Sequence, residues 1–282
     1  MKARRHDRTW ISAVSVLLIA AFGNSCNSSS QKLLEEADAN WRKGRNYEAL
    51  QGNELLYQRE PKGNFAARAL LNIANIYYLN LRQLKPAIQS YDRLIHEFPE
   101  AVEAVEAHRH LANIYADELN DNDQAIAQYE ALLRVEDLPD RPAIMFKRAD
   151  MFFKMGDYDR ALRELRTLEE SGIDDRLADQ VSLRIGSIYQ IKKEFDKAVE
   201  PFAKVVTSKY ADCRRRAILS LAETYETLFD FGKAIAAIQK LDRNPENDKF
   251  AAGEVERLKK KRVAVERSDN LYLMRGLPVP KK

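Results

Sequence analysis

Three of the four histidines, His96, His108 and His110, lie beyond the first 26 residues, and they are the side chains best suited to hold a metal. His108 and His110 stand two apart, so on a helix they point to different sides and cannot close on one ion. No glycine-rich phosphate loop and no serine-centred elbow occurs. The adjacent carboxylates Glu169-Glu170 and Asp174-Asp175 fall at turns, where such groups cap helices. These residues predict no catalytic group, no metal, no cofactor and no small-molecule substrate, so the chain does not read as an enzyme. What the residue types can do is recognise another molecule. Arg109 and Asn113, four apart, share one helix face and are read either as a binding pair or as a solvated face with a local hydrogen bond.

Cys26 has a chemistry of its own. Lys2, Arg4, Arg5 and Arg8 make a basic start, and Trp10 to Phe22 follow with only Ser12 and Ser15 as polar interruptions. That apolar run is too short to span a bilayer, which takes about 20 residues, and it suits the apolar region of a secretory signal. Next come Gly23-Asn24-Ser25-Cys26 and then Asn27-Ser28-Ser29-Ser30. The arrangement resembles a bacterial lipoprotein signal, with Ser25 as the small residue before the cysteine and Gly23 where that family usually carries leucine. The resemblance implies a signal peptide over residues 1–25, a lipidated (palmitate-bearing) Cys26, a polar tether over residues 26–30, and, from Asn27, the periplasmic side of the outer membrane. Ordinary cleavage near Ala20 or Ala21 and an uncleaved anchor are the other readings. Lipidation would leave Cys213 without a partner for an internal disulfide, and a small buried residue is expected there.

The groups around these residues set what kind of chain positions them. Hydrophobic residues make up 45% and charged residues 32%, enough for a core and against wholesale disorder. Only ten glycines and nine prolines occur, too few for an all-β protein. The net charge of +3 belongs to the first 25 residues, and the remainder is neutral, which argues against a nucleic-acid partner. The charge is uneven all the same, because the segment from Lys249 to Lys282 is strongly basic and residues 26–248 are acidic.

Two series of small residues share one period. Ala37, Ala74, Ala112, Ala149, Gly186 and Ala222 are 36 to 38 residues apart, and so are Ala49, Ala87, Ala125, Ala161, Ala198 and Ala234. Small side chains at these points let two helices approach where they cross. Large residues fill the rest of the seam: Tyr77, Tyr115, Phe152, Tyr189 and Tyr225 three after the first series, and Tyr91, Tyr129, Leu165, Phe202 and Ile238 four after the second. Leu94, Leu132, Leu168, Val205 and Leu241 follow another three on, so the spacing places each set on one helical face. A single hairpin cannot bury that face, so neighbours must stack. Pro61, Pro99, Pro139, Pro245 and Gly172 are expected to end the second helices, and Pro201 interrupts one. Extra residues in the less regular units are expected in turns or linkers.

Segments such as Ile185-Gly186-Ser187-Ile188-Tyr189 and Phe195-Asp196-Lys197-Ala198-Val199 resemble the tetratricopeptide repeat, a helical hairpin of about 34 residues. The resemblance implies an all-α, right-handed superhelical solenoid of about six hairpins over residues 31–245. A capping helix over 246–268 and a flexible tail over 269–282 would complete the chain. It also implies a concave groove lined by the first helices. Carrying the repeat register over places Trp41, Arg42, Arg68, Asn75 and Tyr78 in that groove, then Arg109, Asn113 and Asp117, then Asp150, Phe153 and Lys154, and finally Gln190, Glu223 and Glu226. Arg109 and Asn113 resemble half of the clamp by which some members hold a C-terminal carboxylate, with Lys147 in a comparable place in the next unit. Trp41 reads as a groove aromatic or as a residue packed under the tether.

Repeats behind a lipoprotein signal are similar to the assembly lipoproteins of the outer-membrane β-barrel machine and to pilus-biogenesis lipoproteins. The expected function is a membrane-tethered scaffold in the cell envelope that holds a peptide segment or C-terminus of an envelope protein. The alternative is a passive spacer in a polysaccharide or cell-wall synthesis complex. The basic run Arg257, Lys259, Lys260, Lys261 and Arg262 reads either as a surface for an anionic partner or as the solvated face of a terminal helix.

Overall fold

The computed structural model describes residues 29–274, so Cys26, the expected signal and most of the tether lie outside the described residues. All regular structure in the described residues is helical, and it divides into two compact units, one through Val135 and one from Glu136. The first unit holds α1 (residues 29–42), α2 (Asn46–Arg59), α3 (Ala66–Asn75), α4 (Leu84–Glu97), α5 (Val102–Asn113) and α6 (Asn122–Leu133). The second holds α7 (Arg141–Lys154), α8 (Tyr158–Glu170), α9 (Asp175–Ile191), α10 (Phe195–Val205), α11 (Ala211–Thr227), α12 (Phe231–Ile238) and α13 (Pro245–Met274). Within each unit consecutive helices pack as hairpins, and each hairpin packs on the next, the arrangement of a repeat solenoid.

The small-residue series explain the crossings. All six second-helix alanines are fully buried, and the first-helix series is buried at every position. Where α9 crosses α10, a Cβ on Gly186 would lie 2.6 Å from a ring carbon of Phe202. Where α1 crosses α2, a Cβ on Gly52 would lie 2.9 Å from the Cβ of Ala37. The large residues assigned to the second helices are buried from Tyr91 through Leu241. The first helices differ from expectation by one residue. Phe152 is buried, but Tyr77, Tyr115, Tyr189 and Tyr225 are only half-buried, and the preceding Ile76, Ile114, Met151, Ile188 and Thr224 fill the seam. A tyrosine places its body over the seam and its hydroxyl at the rim, whereas a β-branched or flexible side chain fits wholly inside.

The turn inside every hairpin follows one rule. Gly44, Arg82, Asn120, Gly156, Lys193 and Phe229 all have positive φ, between 53° and 79°, and each stands five residues before a second-helix alanine. The next amide reaches back to a carbonyl of the closing first helix, as Glu194 N does to Tyr189 O at 2.8 Å and Asp230 N to Tyr225 O at 2.8 Å. This is the left-handed helix end, which glycine adopts without cost and other residues adopt only under constraint. Asp121, Asp157 and Asp230, each directly after that residue, cap the second helix by accepting a backbone N–H. Asp174 caps α9 in the same way.

Three expectations about boundaries change. The surplus residue of the second and third hairpins lies inside the first helix and not in a linker, because α3 and α5 end in π-helical turns at Ile76–Asn80 and Ile114–Glu118. Widening one turn keeps Ile76 and Ile114 in the seam while the chain carries an extra residue to the hairpin turn. Pro245 opens α13 and does not close α12, a place where its missing N–H costs nothing. The terminal helix continues to Met274, past the expected end at 268, so residues 269–274 are helical and not a loose tail. Pro201 lies inside α10, buried, as the sequence requires.

Candidate functional site

The face built by the first helices starts from residues defined relative to the buried small residue. Four positions past it stand Trp41, Tyr78, Phe153, Gln190 and Glu226, all expected to line a groove. Each meets the first helix of the following hairpin in its own unit or, for Glu226, the terminal helix. Trp41 Nε1 donates to Asn80 Oδ1 at 2.9 Å. The Tyr78 ring meets the His110 ring edge-on at 6.0 Å. The Arg184 guanidinium lies 4.3 Å above the Phe153 ring, and Tyr158 packs edge-on against that ring at 5.8 Å. Gln190 Nε2 donates to Thr224 Oγ1 at 2.9 Å and to Ser220 O at 3.2 Å. Glu226 accepts from both Arg257 and Lys261 of α13. In the third hairpin the same position is the buried Ala116.

A second rung of contacts joins the position one past the small residue to the position two before the next one. Asn72 Nδ2 donates to Asp38 Oδ1 at 3.0 Å and to Asn53 Oδ1 at 3.1 Å. Asp150 pairs with Arg184. Between them in sequence, Asn75 and His110 are bridged by Tyr91, whose hydroxyl donates to Asn75 Oδ1 at 2.6 Å and whose ring stacks on His110 at 5.3 Å. His110 is therefore held between two tyrosine rings, and burial holds its pKa below the usual imidazole value although Glu106 pulls the other way. Burial also pushes the Tyr91 phenol up. Burial lowers the Arg184 pKa, Asp150 opposes that shift, and Arg216 adds to it.

The remaining candidates divide by exposure. Arg42, Arg68, Asp117, Lys154 and Glu223 are exposed, and Arg109 and Asn113 are half-buried on α5. Lys147 lies on α7, in the other unit. The basic run on α13 is substantially paired. Arg257 binds Glu226 and Glu254, Lys261 binds Glu226, Lys260 lies 3.6 Å from Glu256, and Arg262 lies 2.8 Å from Glu266. Sequence reasoning missed Arg184 and His110 as parts of this face. Their signal was their place two residues before Gly186 and Ala112, in register with Asn72 before Ala74.

Cys213 is buried on α11, and burial pushes its thiol up, so it packs as a small apolar residue. Among the described residues no three His, Cys, Asp or Glu side chains are grouped to hold a metal, and no helix is long and apolar enough to cross a membrane.

Family models described as tetratricopeptide repeat match residues 68–101, 114–161 and 146–212. No curated protein matches the chain. Among solved structures, a tetratricopeptide repeat protein from Parabacteroides merdae is 18% identical, with 85% of this chain and 89% of that one covered at a TM-score of 0.55. PilF of Pseudomonas aeruginosa is 13% identical, with 81% and 99% covered at a TM-score of 0.50. PilW, a type IV pilus biogenesis factor, is 16% identical, with 76% and 92% covered at a TM-score of 0.49. At these identities the first two likenesses show the fold alone.

Proposed function

We propose, from the premise that the chain is a tetratricopeptide-repeat protein and so a protein-interaction scaffold, that it is tethered in the bacterial cell envelope and holds a peptide segment of an envelope protein on its first-helix face. One observation carries the reading. The ring of Phe153 and the guanidinium of Arg184 form a half-buried stack on the first-helix face of the second unit, with the exposed Lys154 beside it in sequence. Aromatic area joined to directed charge is the composition of recognition surfaces, and the family is generally non-enzymatic. The exposed Arg42, Arg68 and Asp117 offer the corresponding contacts in the first unit.

The envelope location rests on the Ser25-Cys26 pattern and on Asn27, which favour a lipid anchor in the outer membrane. An outer-membrane, secretion or pilus assembly complex is the partner class, and its member is an envelope protein and neither a nucleic acid nor a small molecule. The test is crosslinking of the full chain in its native membranes, beside a variant with Arg68, Asp117 and Lys154 changed to Ala. Capture of one envelope protein by the native form and its loss in the variant supports the reading. Unchanged capture overturns the first-helix face as the working surface and favours the passive spacer of a polysaccharide or cell-wall complex.

A further inference from the structure

The first unit carries a second feature, on the side of its second helices. Between α2, α3 and α4 lies a cleft of about 400 Å³ whose floor is Leu70 and Ile73 and whose walls include Tyr57 and Tyr77. Arg93 already uses one aromatic wall. Its guanidinium lies 4.3 Å over the Tyr57 ring, its Nη2 donates to Tyr57 Oη at 2.8 Å, and its Nε donates to Glu97 Oε1 at 2.8 Å. Tyr57 in turn donates to Glu97. Arg93 is thereby ion-paired with Glu97 through Nε and tied to Tyr57 through Nη2. The other charged group lining the cleft is Glu54, half-buried, with no hydrogen bond or ion pair among the described residues. The lining thus keeps one negative charge beside an aromatic ring and an apolar floor.

We propose that this cleft is a seat for an arginine side chain of a partner protein, its guanidinium bound by Glu54 and faced by Tyr77, its methylenes laid over Leu70 and Ile73. Guanidinium is planar, weakly hydrated and stacks on aromatic faces while forking onto a carboxylate, which is the chemistry that this lining offers. Tyr57 and Arg93 show the same pairing made internally one wall away. The Tyr77 phenol is pushed up by burial and then by the charge of Glu54, so that carboxylate is felt at the ring that would face the ligand. The seat belongs to the second-helix side and is independent of the first-helix face proposed above.

The probe is acetyl-arginine amide, titrated into the full chain with leucine and isoleucine methyl groups labelled for NMR. A single side chain in an open cleft binds on the order of millimolar. The Leu70 and Ile73 methyl signals are expected to shift saturably with acetyl-arginine amide. They should respond about tenfold more weakly to acetyl-citrulline amide, which has the same shape without the charge. Glu54→Gln should weaken arginine binding about tenfold while the fully buried Ile76 methyl keeps its position, which shows the fold intact. Equal response to citrulline, unchanged binding in Glu54→Gln, or preferential binding of acetyl-glutamate amide through Arg93 would each overturn the proposal.

Discussion

Arg257 of α13 forks onto Glu226 of α11, with Nη1 2.7 Å from Oε1 and Nη2 2.6 Å from Oε2. Lys261 adds a third bond at 2.6 Å, so the terminal helix is tied to the last hairpin through one carboxylate. The same register position ties Trp41, Tyr78, Phe153 and Gln190 to the next element. A side chain four residues past the crossing point lies one turn along the helix, on the face that meets the following hairpin.

That tie has a pH signature. The hydrogen bond from Arg257 holds the Glu226 carboxyl at about 2, from an ordinary value of 4.5. A depressed carboxyl contributes stability that is complete above the unfolded value and lost as pH falls through the folded one. The window is therefore from 4.5 down to about 2. Because Arg257 and Lys261 are about half exposed, solvent screening leaves about 1 kcal/mol. Glu226→Gln should flatten the urea-unfolding midpoint over that range. A variant whose midpoint still falls as steeply would remove Glu226 as the titrating group.

A second window lies higher. His110 is half-buried between Tyr78 and Tyr91, and desolvation holds its pKa below 6.5. Its neutral ring is the form that fits, so stability is complete above 6.5 and declines as pH falls from there through the folded value. His110→Gln should remove the difference between unfolding midpoints at neutral and mildly acid pH.

Two glycine substitutions should act with opposite sign. Gly186→Ala puts a methyl group within 2.9 Å of three atoms of the fully buried Phe202 ring, and a loss of about 1–3 kcal/mol is expected. Phe202→Leu in the same chain should recover part of that loss, a coupling that a double-mutant cycle measures. At Gly253, exposed on α13, a Cβ meets nothing within 4 Å, so Gly253→Ala should stabilise by about 1 kcal/mol through helix propensity. Equal shifts at both sites would deny that the α9–α10 crossing needs glycine.

Lys193 occupies the left-handed turn position at φ 59°, where Gly44 and Gly156 serve other hairpins. Lys193→Gly should raise the melting temperature, with relief of about 0.5–1 kcal/mol. Gly156→Val, at φ 79°, should lower it. Thermal unfolding followed by circular dichroism decides both.

Lipidation is tested at Cys26. Cys26→Ser should release the protein from membranes and abolish the mass increment of the acyl chains. Membrane association at unchanged mass would leave the apolar run from Trp10 to Phe22 as an uncleaved anchor.

The hairpins were legible because their determinants are local and repeat. Ala49 to Ala234 and the large residues of the second helices read directly as a buried stripe, since helical spacing alone decides which side chains share a face. The carboxylate at Asp174 read as a cap for the same reason, whereas the caps Asp157 and Asp230 came to light only in the structure. The left-handed turn residue was harder to see, because Arg82, Lys193 and Phe229 are poor at that conformation and only the closing bonds of the helix end impose it.

By itself the sequence determined the helices, their pairing, the crossing points and the family likeness, all consequences of period and side-chain size. Tertiary structure decided what the first-helix side chains do. Glu226 could be a groove charge or a tie to α13, and only the approach of Arg257 from 31 residues away makes it the tie. Asn75 and His110 could face solvent, and Tyr91 from the neighbouring second helix gathers them. The surplus residue before Ala87 could lengthen a turn, and burial of Ile76 sends it into the helix as a π turn. Each outcome depends on which long-range neighbour completes a hydrogen bond or excludes water, and spacing within one helix carries no information about that neighbour.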